Sequence, residues 1–296
     1  MQLPVTIESK VSQKLETERI LKIAEEGGIL SRLIKGFEPR LQQRTMMANV
    51  IEAYNQNRIT LIEAGTGTGK SLAYLIPALI WAAQYKERTV ISTNTINLQE
   101  QLVNKDIPQL MHALNLNLKA VLIKGMNNYV CLRKLEDAQL ELQFYPSNDS
   151  REIASIAGWS RTTTDGSKTE LPFLPSPSVW EQVGAESEAC SYNQCPYYQQ
   201  CFFFKARRQA QDAQILVANH HLLLTDLVVR ADLNKYDDPC LMPAYKRIIL
   251  DEAHHLEELA TEHFASKMHR IELNRILGRL ASDKSGAQQG KLPILK

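Results

Sequence analysis

The stretch that decides the fold of this chain is Ile59-Thr60-Leu61-Ile62-Glu63-Ala64-Gly65-Thr66-Gly67-Thr68-Gly69-Lys70-Ser71. Its first four residues are β-branched or leucine and predict a strand, and its glycines predict a tight loop. The apolar run from Leu72 to Ile80 then predicts a helix. A strand, a glycine-rich loop and a helix in this order are typical of a phosphate-binding loop. The stretch therefore predicts a nucleotide site in an α/β domain.

The backbone and the side chains of the loop have different roles in binding a nucleotide. Backbone N–H groups of a glycine-rich loop surround the phosphates, and the helix N-terminus adds positive potential. Lys70 is expected to neutralise the terminal phosphate, and the Ser71 hydroxyl to bind Mg²⁺. The alternative is a glycine-rich turn with an incidental lysine. The predicted nucleotide-binding residues are Ala64, Gly65, Thr66, Gly67, Thr68, Gly69, Lys70 and Ser71, with Ala64 standing where such loops begin with glycine.

Beyond the loop, short β-rich runs alternate with longer helical patterns. The runs cover residues 59–62, 89–92, 120–123, 215–218 and 247–250. Such alternation predicts βαβ units around a parallel sheet. The interval between the third and fourth runs, about residues 126–205, has a different composition, with four of the five cysteines and several prolines. We interpret this interval as an insertion into the α/β domain.

A second acidic site follows the last β-rich run, as Asp251-Glu252-Ala253-His254. Both acids are placed at the carboxyl end of a predicted strand, where open α/β sheets bind their ligands. Asp251 is predicted to hold Mg²⁺, and Glu252 to orient and deprotonate the attacking water. His254 is predicted to sense the γ-phosphate. The alternative is a helix start at which acidic residues are favourable.

Four cysteines lie between these two sites: Cys131, Cys190, Cys195 and Cys201. Four thiolates can bind zinc or an iron–sulfur cluster, and structural zinc sites favour two short cysteine pairs. The arrangement of one cysteine followed much later by three favours a [4Fe–4S] cluster, while zinc and unliganded thiols remain alternatives. Cys240 is interpreted as the spare thiol.

Aromatic and basic residues are interleaved around the cysteines. The aromatic residues are Tyr129, Tyr197, Tyr198, Phe202, Phe203 and Phe204, and the basic residues are Arg133, Lys134, Lys205, Arg207 and Arg208. Aromatic platforms with cationic neighbours suit single-stranded nucleic acid, whose bases stack and whose phosphates pair with Lys and Arg. The alternative is that the aromatic residues pack the core of the insertion.

The composition is that of an ordinary globular protein. The chain has 296 residues, 44% of them hydrophobic, and 34 basic against 33 acidic residues give a net charge of +1. Any contact with nucleic acid must therefore use a local patch. The sequence shows no signal-peptide pattern and no apolar run long enough to span a bilayer. We expect a cytoplasmic protein without membrane contact.

Together these motifs resemble those of the iron–sulfur helicases of the XPD/DinG family, and most closely the bacterial DinG and YoaA branch. The resemblance runs from about Gly36 to about Leu259 and includes, in order, the segments 36–43, 63–71, 92–102, the four cysteines, 217–221 and 251–254.

The resemblance implies an ATP-dependent 5′ to 3′ DNA helicase that acts on single-stranded DNA in repair or replication. It implies ATP, Mg²⁺ and a [4Fe–4S] cluster as cofactors, with Cys131, Cys190, Cys195 and Cys201 as the cluster ligands. Arg40 and Gln43 are then expected near the adenine, and Thr93 and Asn94 at the DNA backbone. Lys205, Arg207 and Arg208 are predicted DNA contacts because they belong to the basic cluster around the cysteines.

For the domains, a helical apolar pattern of mixed charge that breaks at Gly27-Gly28 predicts an N-terminal appendage (residues 1–36). The resemblance implies a RecA-like ATP-binding lobe (37–262). The iron–sulfur insert (about 126–205) interrupts this lobe, and the start of a helical arch (263–296) follows it. Too few residues follow His255 to form the family's second RecA-like lobe. We therefore expect weak turnover by this chain alone, and a separate chain that supplies that lobe. The alternatives are a truncated gene product, a non-catalytic DNA-binding iron–sulfur module that senses redox state, and a zinc-stabilised NTPase unrelated to DNA.

Overall fold

The computed structural model describes residues 13–34, 36–65, 67–144, 149–264, 282–284 and 287–289. The chain divides into two compact units, Met1–His254 and His255–Lys296, which are described separately. Within the described ranges, no helix has both the length and the apolar character needed to cross a membrane.

The first unit is built on a sheet of four parallel strands, β1 (Thr89–Thr93), β2 (Ala120–Ile123), β3 (Ile215–Asn219) and β4 (Arg247–Leu250). Their order is β2-β3-β1-β4. Thr89 of β1 is in register with Ile215 on one side and with Arg247 on the other. The predicted parallel α/β sheet is thereby confirmed, and the carboxyl ends of its strands share one edge.

The sheet is covered on both faces, as alternate residues of its inner strands show. Ile91, Ile215 and Val217 belong to one hydrophobic cluster, whereas Val90 and Leu216 belong to another. Successive side chains of a strand point to opposite faces, so the two clusters lie on opposite sides of the sheet. A strand buried on both faces is largely apolar, as β3 is from Ile215 to Ala218. In β1 the buried hydroxyls of Thr89 and Ser92 are hydrogen-bonded to Tyr54 and His220, respectively.

Helices connect the strands and form most of the remaining structure. Those of the first unit include α1 (Thr17–Leu21), α2 (Ile29–Leu33), α3 (Leu41–Gln56), α4 (Lys70–Tyr85), α5 (Ile96–Gln101), α6 (Ile107–Ala113), α7 (Leu132–Phe144), α8 (Ser150–Ser160), α9 (Pro177–Val183), α10 (Phe202–Gln211) and α11 (His220–Leu233). Helix α4 is apolar on most of its surface because it lies inside the main core, where Leu75, Ile76 and Leu79 are completely buried.

The strand predicted at residues 59–62 is not formed, and this prediction was wrong. Residues 58–65 have no regular secondary structure, and the side chains of Ile59 and Leu61 are 104% and 91% exposed. β-Branched residues favour an extended backbone, but a strand also needs a neighbour that accepts and donates its ladder hydrogen bonds. Among the described residues no strand pairs with this segment.

The described residues among 1–36 pack in the main core. Leu15, Ile20, Leu21 and Leu30 are buried in the same cluster as α3 and α4. The Leu15 N–H donates to Asn55 Oδ1 at 2.6 Å, and Asn55 Nδ2 donates to the Leu15 carbonyl at 3.0 Å. The described part of this segment therefore packs on the main core, because its apolar residues need that core in order to be buried.

The insertion has a hydrophobic cluster of its own. Its members come from the segment before α7 and from α7, α8, α9 and the start of α10, and include Tyr129, Ile156, Val179 and Phe202. Tyr129 also forms a β-bridge with Ser167. The packing alternative for the aromatic residues is therefore observed for Tyr129 and Phe202, which are 1% and 8% exposed.

The second unit contains α12 (Leu256–Phe264) and an antiparallel pair of short strands, β5 (Ser282–Lys284) and β6 (Ala287–Gln289). The two strands were not predicted from the sequence. Most of the predicted arch segment (263–296) lies outside the described residues.

Candidate nucleotide site and cysteine pocket

The glycine-rich loop leads directly into α4, which begins at Lys70. Gly67 and Gly69 have φ values of 77° and 79°, a left-handed conformation that is unfavourable for residues with a Cβ atom. A Cβ on Gly69 would also lie 2.1 Å from Gln43 Nε2. The loop is thus shaped by glycine as the sequence predicts, while Thr66 lies outside the described residues.

The acidic box and the loop meet although 182 positions separate them in the sequence. Lys70 Nζ lies 2.9 Å from Glu252 Oε1, in an ion pair whose side chains are 27% and 30% exposed. The Asp251 N–H donates to the Ser92 carbonyl at 2.8 Å, which extends the pairing of β4 with β1. Sheet pairing therefore fixes the box at the carboxyl edge, beside the loop.

Glu252 has an unusual backbone conformation, with φ of 54°. A non-glycine residue rarely adopts this left-handed region, and such strain is held in place only by the surrounding structure. In this conformation the Glu252 carboxylate contacts Lys70. His254 Nδ1 lies 3.4 Å from the other oxygen of this carboxylate, and its side chain is 65% exposed.

Asp251 is held by a residue that the sequence analysis missed. The Tyr74 hydroxyl donates to Asp251 Oδ2 at 3.1 Å. Burial raises the pKa of Asp251, with a further increase from Glu252, while the Tyr74 hydrogen bond opposes the rise. Burial and the Asp251 charge raise the pKa of Tyr74 well above its usual value, so the phenol keeps its proton and donates it. The signal was available, because Tyr74 lies one helical turn after Lys70 on α4.

Gln43 contacts the loop, whereas Arg40 does not share its environment. Gln43 is 3% exposed, and its Nε2 donates to the Gly69 carbonyl at 3.2 Å. Its Oε1 is buried and has no hydrogen-bond partner among the described residues. Arg40 is exposed and precedes the first turn of α3. Gln43 thus presents an unused acceptor next to the phosphate loop.

The two residues predicted at the DNA backbone differ in accessibility. Thr93 ends β1 and is completely buried, whereas Asn94 is half-exposed. Asn94 is therefore the accessible member of the pair. Both lie at the carboxyl edge of the sheet.

The four predicted cluster ligands line one pocket in the insertion. Cys131, Cys190, Cys195 and Cys201 share it with Tyr197, Tyr198 and Phe204, among others. Each of the four is half-buried, and burial together with the charges of Cys131 and Cys190 raises the pKa of Cys201. Cys240 is not among the residues that line this pocket.

Basic residues near the pocket hold its walls together. The Arg133 guanidinium donates to the Ala189 carbonyl and, at 3.2 Å, to the Ser191 hydroxyl. Lys134 Nζ donates to the Glu181 carbonyl at 2.7 Å. Among the described residues no group of three or more His, Cys, Asp or Glu side chains is arranged to hold a single metal ion. The pocket thus gathers four thiols without forming a compact single-ion site.

The three predicted DNA-binding residues of α10 fall into two classes. Lys205 and Arg208 are exposed and donate to the Thr164 and Gln199 carbonyls, respectively, each at 3.1 Å. Arg207 is half-buried, lies 4.9 Å above the Phe203 ring and donates to the Lys124 carbonyl at 3.3 Å. Burial lowers the pKa of Arg207. Only Lys205 and Arg208 present their charge to solvent.

Known protein families and relatives match this chain over the phosphate loop and over the acidic box. The DEAD/DEAH box helicase family model matches residues 42–144, and the DEAD_2 model matches residues 182–273. The ATP-dependent DNA helicase YoaA of Escherichia coli (strain K12) is 36% identical over 242 residues, which cover 81% of this chain and 37% of that relative. The ATP-dependent helicase DinG of Mycobacterium tuberculosis (strain ATCC 25177 / H37Ra) is 34% identical over 248 residues, which cover 77% of this chain and 36% of the relative.

The chain thus spans little more than a third of the length of these curated relatives. A solved structure named Truncated XPD gives a TM-score of 0.38 at 17% identity, covering 82% of this chain and 65% of that one. This superposition is too weak to support the fold, which is established by the strand order instead.

Proposed function

We propose, on the premise that this chain belongs to the DinG/XPD-like helicases and contains their amino-terminal region, that it is the ATP-binding part of an ATP-dependent DNA helicase. The observation that carries the proposal is the contact between Lys70 and Glu252, which joins the phosphate loop to the acidic box. A nucleotide bound on the loop would place its terminal phosphate between these two side chains.

Nucleotide binding must exchange the partner of Lys70. The ammonium group leaves Glu252 for the phosphates, and the Glu252 carboxylate becomes available to orient a water molecule and accept its proton. Gln43 supports an adenine contact, because its buried Oε1 can accept a hydrogen bond from the exocyclic amino group of the base.

A magnesium ion would be held by Ser71 and Asp251. Hard oxygen ligands at the end of a strand suit this ion, and Tyr74 fixes one carboxylate oxygen so that the other can face the nucleotide. When bound, the ion neutralises the charge that develops on the phosphates. The side chains of the chain itself bind, orient and accept the proton.

We propose that the cysteine pocket holds a [4Fe–4S] cluster rather than zinc. Tetrahedral zinc binds thiolates at about 2.3 Å, which draws the four sulfur atoms to within about 4 Å of one another. A four-iron cluster spaces its ligands more widely, because each thiolate bonds a different iron. The four cysteines line one pocket, and the sequence arrangement of one cysteine followed much later by three favours the larger group.

Single-stranded DNA is the proposed substrate, and two exposed cations support this. Lys205 and Arg208 are accessible on α10, next to the cysteine pocket, and Arg208 lies 5.8 Å above the Tyr198 ring. Phosphates would pair with the cations, and bases would stack on nearby aromatic rings. Turnover would also require a second RecA-like lobe, supplied by further residues of the same protein or by a separate chain.

The test is ATP hydrolysis by the chain purified without air, with and without single-stranded DNA, and with iron and sulfide assayed on the same sample. We expect four iron atoms per chain and DNA-stimulated turnover that Lys70→Ala removes, with the second lobe added in trans if the chain alone is slow. Turnover that is equal in the variant would contradict the nucleotide site. A colourless protein that contains zinc would contradict the cluster.

A further inference from the structure

Lys124 is a nearly buried cation outside the sites described above. It follows β2 directly at the carboxyl edge of the sheet, and its side chain is 9% exposed. An ammonium group removed from water is costly unless charges and hydrogen bonds compensate it. Its Nζ lies 3.7 Å from Glu100, 3.5 Å from Asp165, 2.9 Å from the Ser167 hydroxyl and 2.8 Å from the Thr169 hydroxyl.

These partners come from two different parts of the first unit. Glu100 lies on α5, the helix that begins just after Asn94. Asp165, Ser167 and Thr169 belong to one loop of the insertion, which also bridges to Tyr129. The Lys124 side chain therefore connects α5, which follows the predicted DNA-binding residue Asn94, with the loop of the insertion.

The same loop holds α10, the helix that presents Lys205 and Arg208. The Phe202 ring packs on Gly166 so closely that a Cβ there would lie 2.1 Å from it. Lys205 donates to the Thr164 carbonyl, and Arg207 donates to the carbonyl of Lys124 itself. Lys124 thus contacts α5 through its side chain and α10 through both its backbone and the loop.

We propose that Lys124 is a positioning residue for single-stranded DNA: it fixes the exposed cations of α10 relative to Asn94, so that both contact the same strand. The inference rests on the proposed DNA substrate. Lys124 itself is too buried to pair with a phosphate. Lys124 therefore affects DNA affinity by positioning other residues. This effect can be distinguished from that of an exposed lysine that pairs with a phosphate.

The salt dependence of binding separates these two roles. A lysine that pairs with a phosphate contributes about 0.7 to the slope of log affinity against log salt for single strands. We expect Lys124→Met to weaken binding of a fluorescent oligonucleotide about tenfold at every salt concentration, within the range usual for coupled sites. The slope should not change. Lys119→Met, which removes an exposed lysine from the other end of the same strand, should leave affinity within about twofold.

Variants of the partners protect the test against misfolding. Glu100→Gln breaks only the contact with α5, so it should weaken DNA binding while leaving the insertion and its iron content intact. The double variant Glu100→Gln/Lys124→Met should bind DNA about as weakly as Lys124→Met alone, because both changes break the same contact. Lys124→Arg keeps the charge and should restore part of the affinity.

Each outcome has a defined meaning. Wild-type binding that neither Lys124→Met nor Glu100→Gln weakens would overturn the positioning role and leave the proposed function intact. A smaller salt slope in Lys124→Met would also overturn it, since Lys124 would then contact DNA directly. Failure of the wild-type chain to bind single-stranded DNA would instead contradict the proposed function.

Discussion

At the scale of single residues, the ion pair between Lys70 and Glu252 determines what a nucleotide must displace when it binds. The pair is partly exposed, so its contribution is at most about 1 kcal/mol. A carboxylate that competes with the phosphates for Lys70 lowers nucleotide affinity, and the same carboxylate is the proposed base for the attacking water. Binding and hydrolysis are therefore expected to respond in opposite directions when Glu252 is neutralised.

The first prediction is that Glu252→Gln tightens ATP binding by about two- to fivefold while lowering hydrolysis by about a hundredfold or more. The affinity is measured by equilibrium titration with a fluorescent ATP analogue, and the rate by phosphate release. Glu63→Gln, which removes the same charge from the exposed start of the loop, is the control. Weaker ATP binding in Glu252→Gln would show that this carboxylate does not compete for Lys70.

The second prediction concerns Tyr74, whose hydroxyl fixes Asp251. Tyr74→Phe removes one hydrogen bond of about 1 kcal/mol, so the Mg²⁺ concentration for half-maximal nucleotide binding should rise about fivefold. Tyr85→Phe is the matched control, because it removes a phenol from the far end of the same helix, where the hydroxyl bonds Lys14. An unchanged Mg²⁺ requirement in Tyr74→Phe would remove Tyr74 from the site.

At the scale of secondary-structure elements, α10 carries three basic residues with different roles. Arg208→Ala should weaken binding of single-stranded DNA and lower the salt slope by about 0.7. Arg207→Ala should leave the slope unchanged and destabilise the insertion, because its guanidinium stacks on Phe203 and bonds Lys124. Affinity titrations over a salt series and thermal unfolding of both variants provide the measurement. A slope change in Arg207→Ala that equals the one in Arg208→Ala would contradict this division.

The elements show where prediction from sequence succeeds. The four strands β1 to β4 were predicted because apolar, β-branched runs between helical patterns indicate a parallel sheet. The segment at residues 59–62 carries the same local signal but is not a strand, because pairing depends on a neighbour that no local pattern reveals. The contacts of Lys124 were likewise invisible, since its partners lie 24 to 45 positions away in the sequence.

In the candidate site, too, local motifs could be predicted from the sequence, whereas contacts between distant elements could not. Lys70 and Glu252 were identified because their motifs are local, and their meeting follows from the parallel sheet. Tyr74 and the burial of Thr93 and Arg207 were missed, since burial depends on how distant elements pack. The four cysteines share a pocket because the insertion folds around its own hydrophobic cluster, which composition indicates only in outline.

At the scale of the whole molecule, the N-terminal residues stabilise the domain that contains the nucleotide site. Asn55 makes two hydrogen bonds to the backbone of Leu15 and thereby holds this segment on the core. We expect Asn55→Ala to lower the free energy of unfolding by about 2 kcal/mol in urea denaturation. Gln56→Ala, the next residue on the same helix, loses only an exposed bond to Glu52 and should cost less than about 0.5 kcal/mol. Equal losses in the two variants would contradict the structural role of the N-terminal segment.

The nucleotide site formed by the loop and the acidic box is tested by binding of a fluorescent ATP analogue, in the presence of Mg²⁺, to the wild-type chain, Lys70→Ala and Lys86→Ala. Lys70 and Lys86 lie at opposite ends of α4, so the two substitutions remove the same charge from one helix. We predict that Lys70→Ala abolishes binding while Lys86→Ala retains it. Equal binding by all three proteins would show that the loop and the acidic box do not form the nucleotide site.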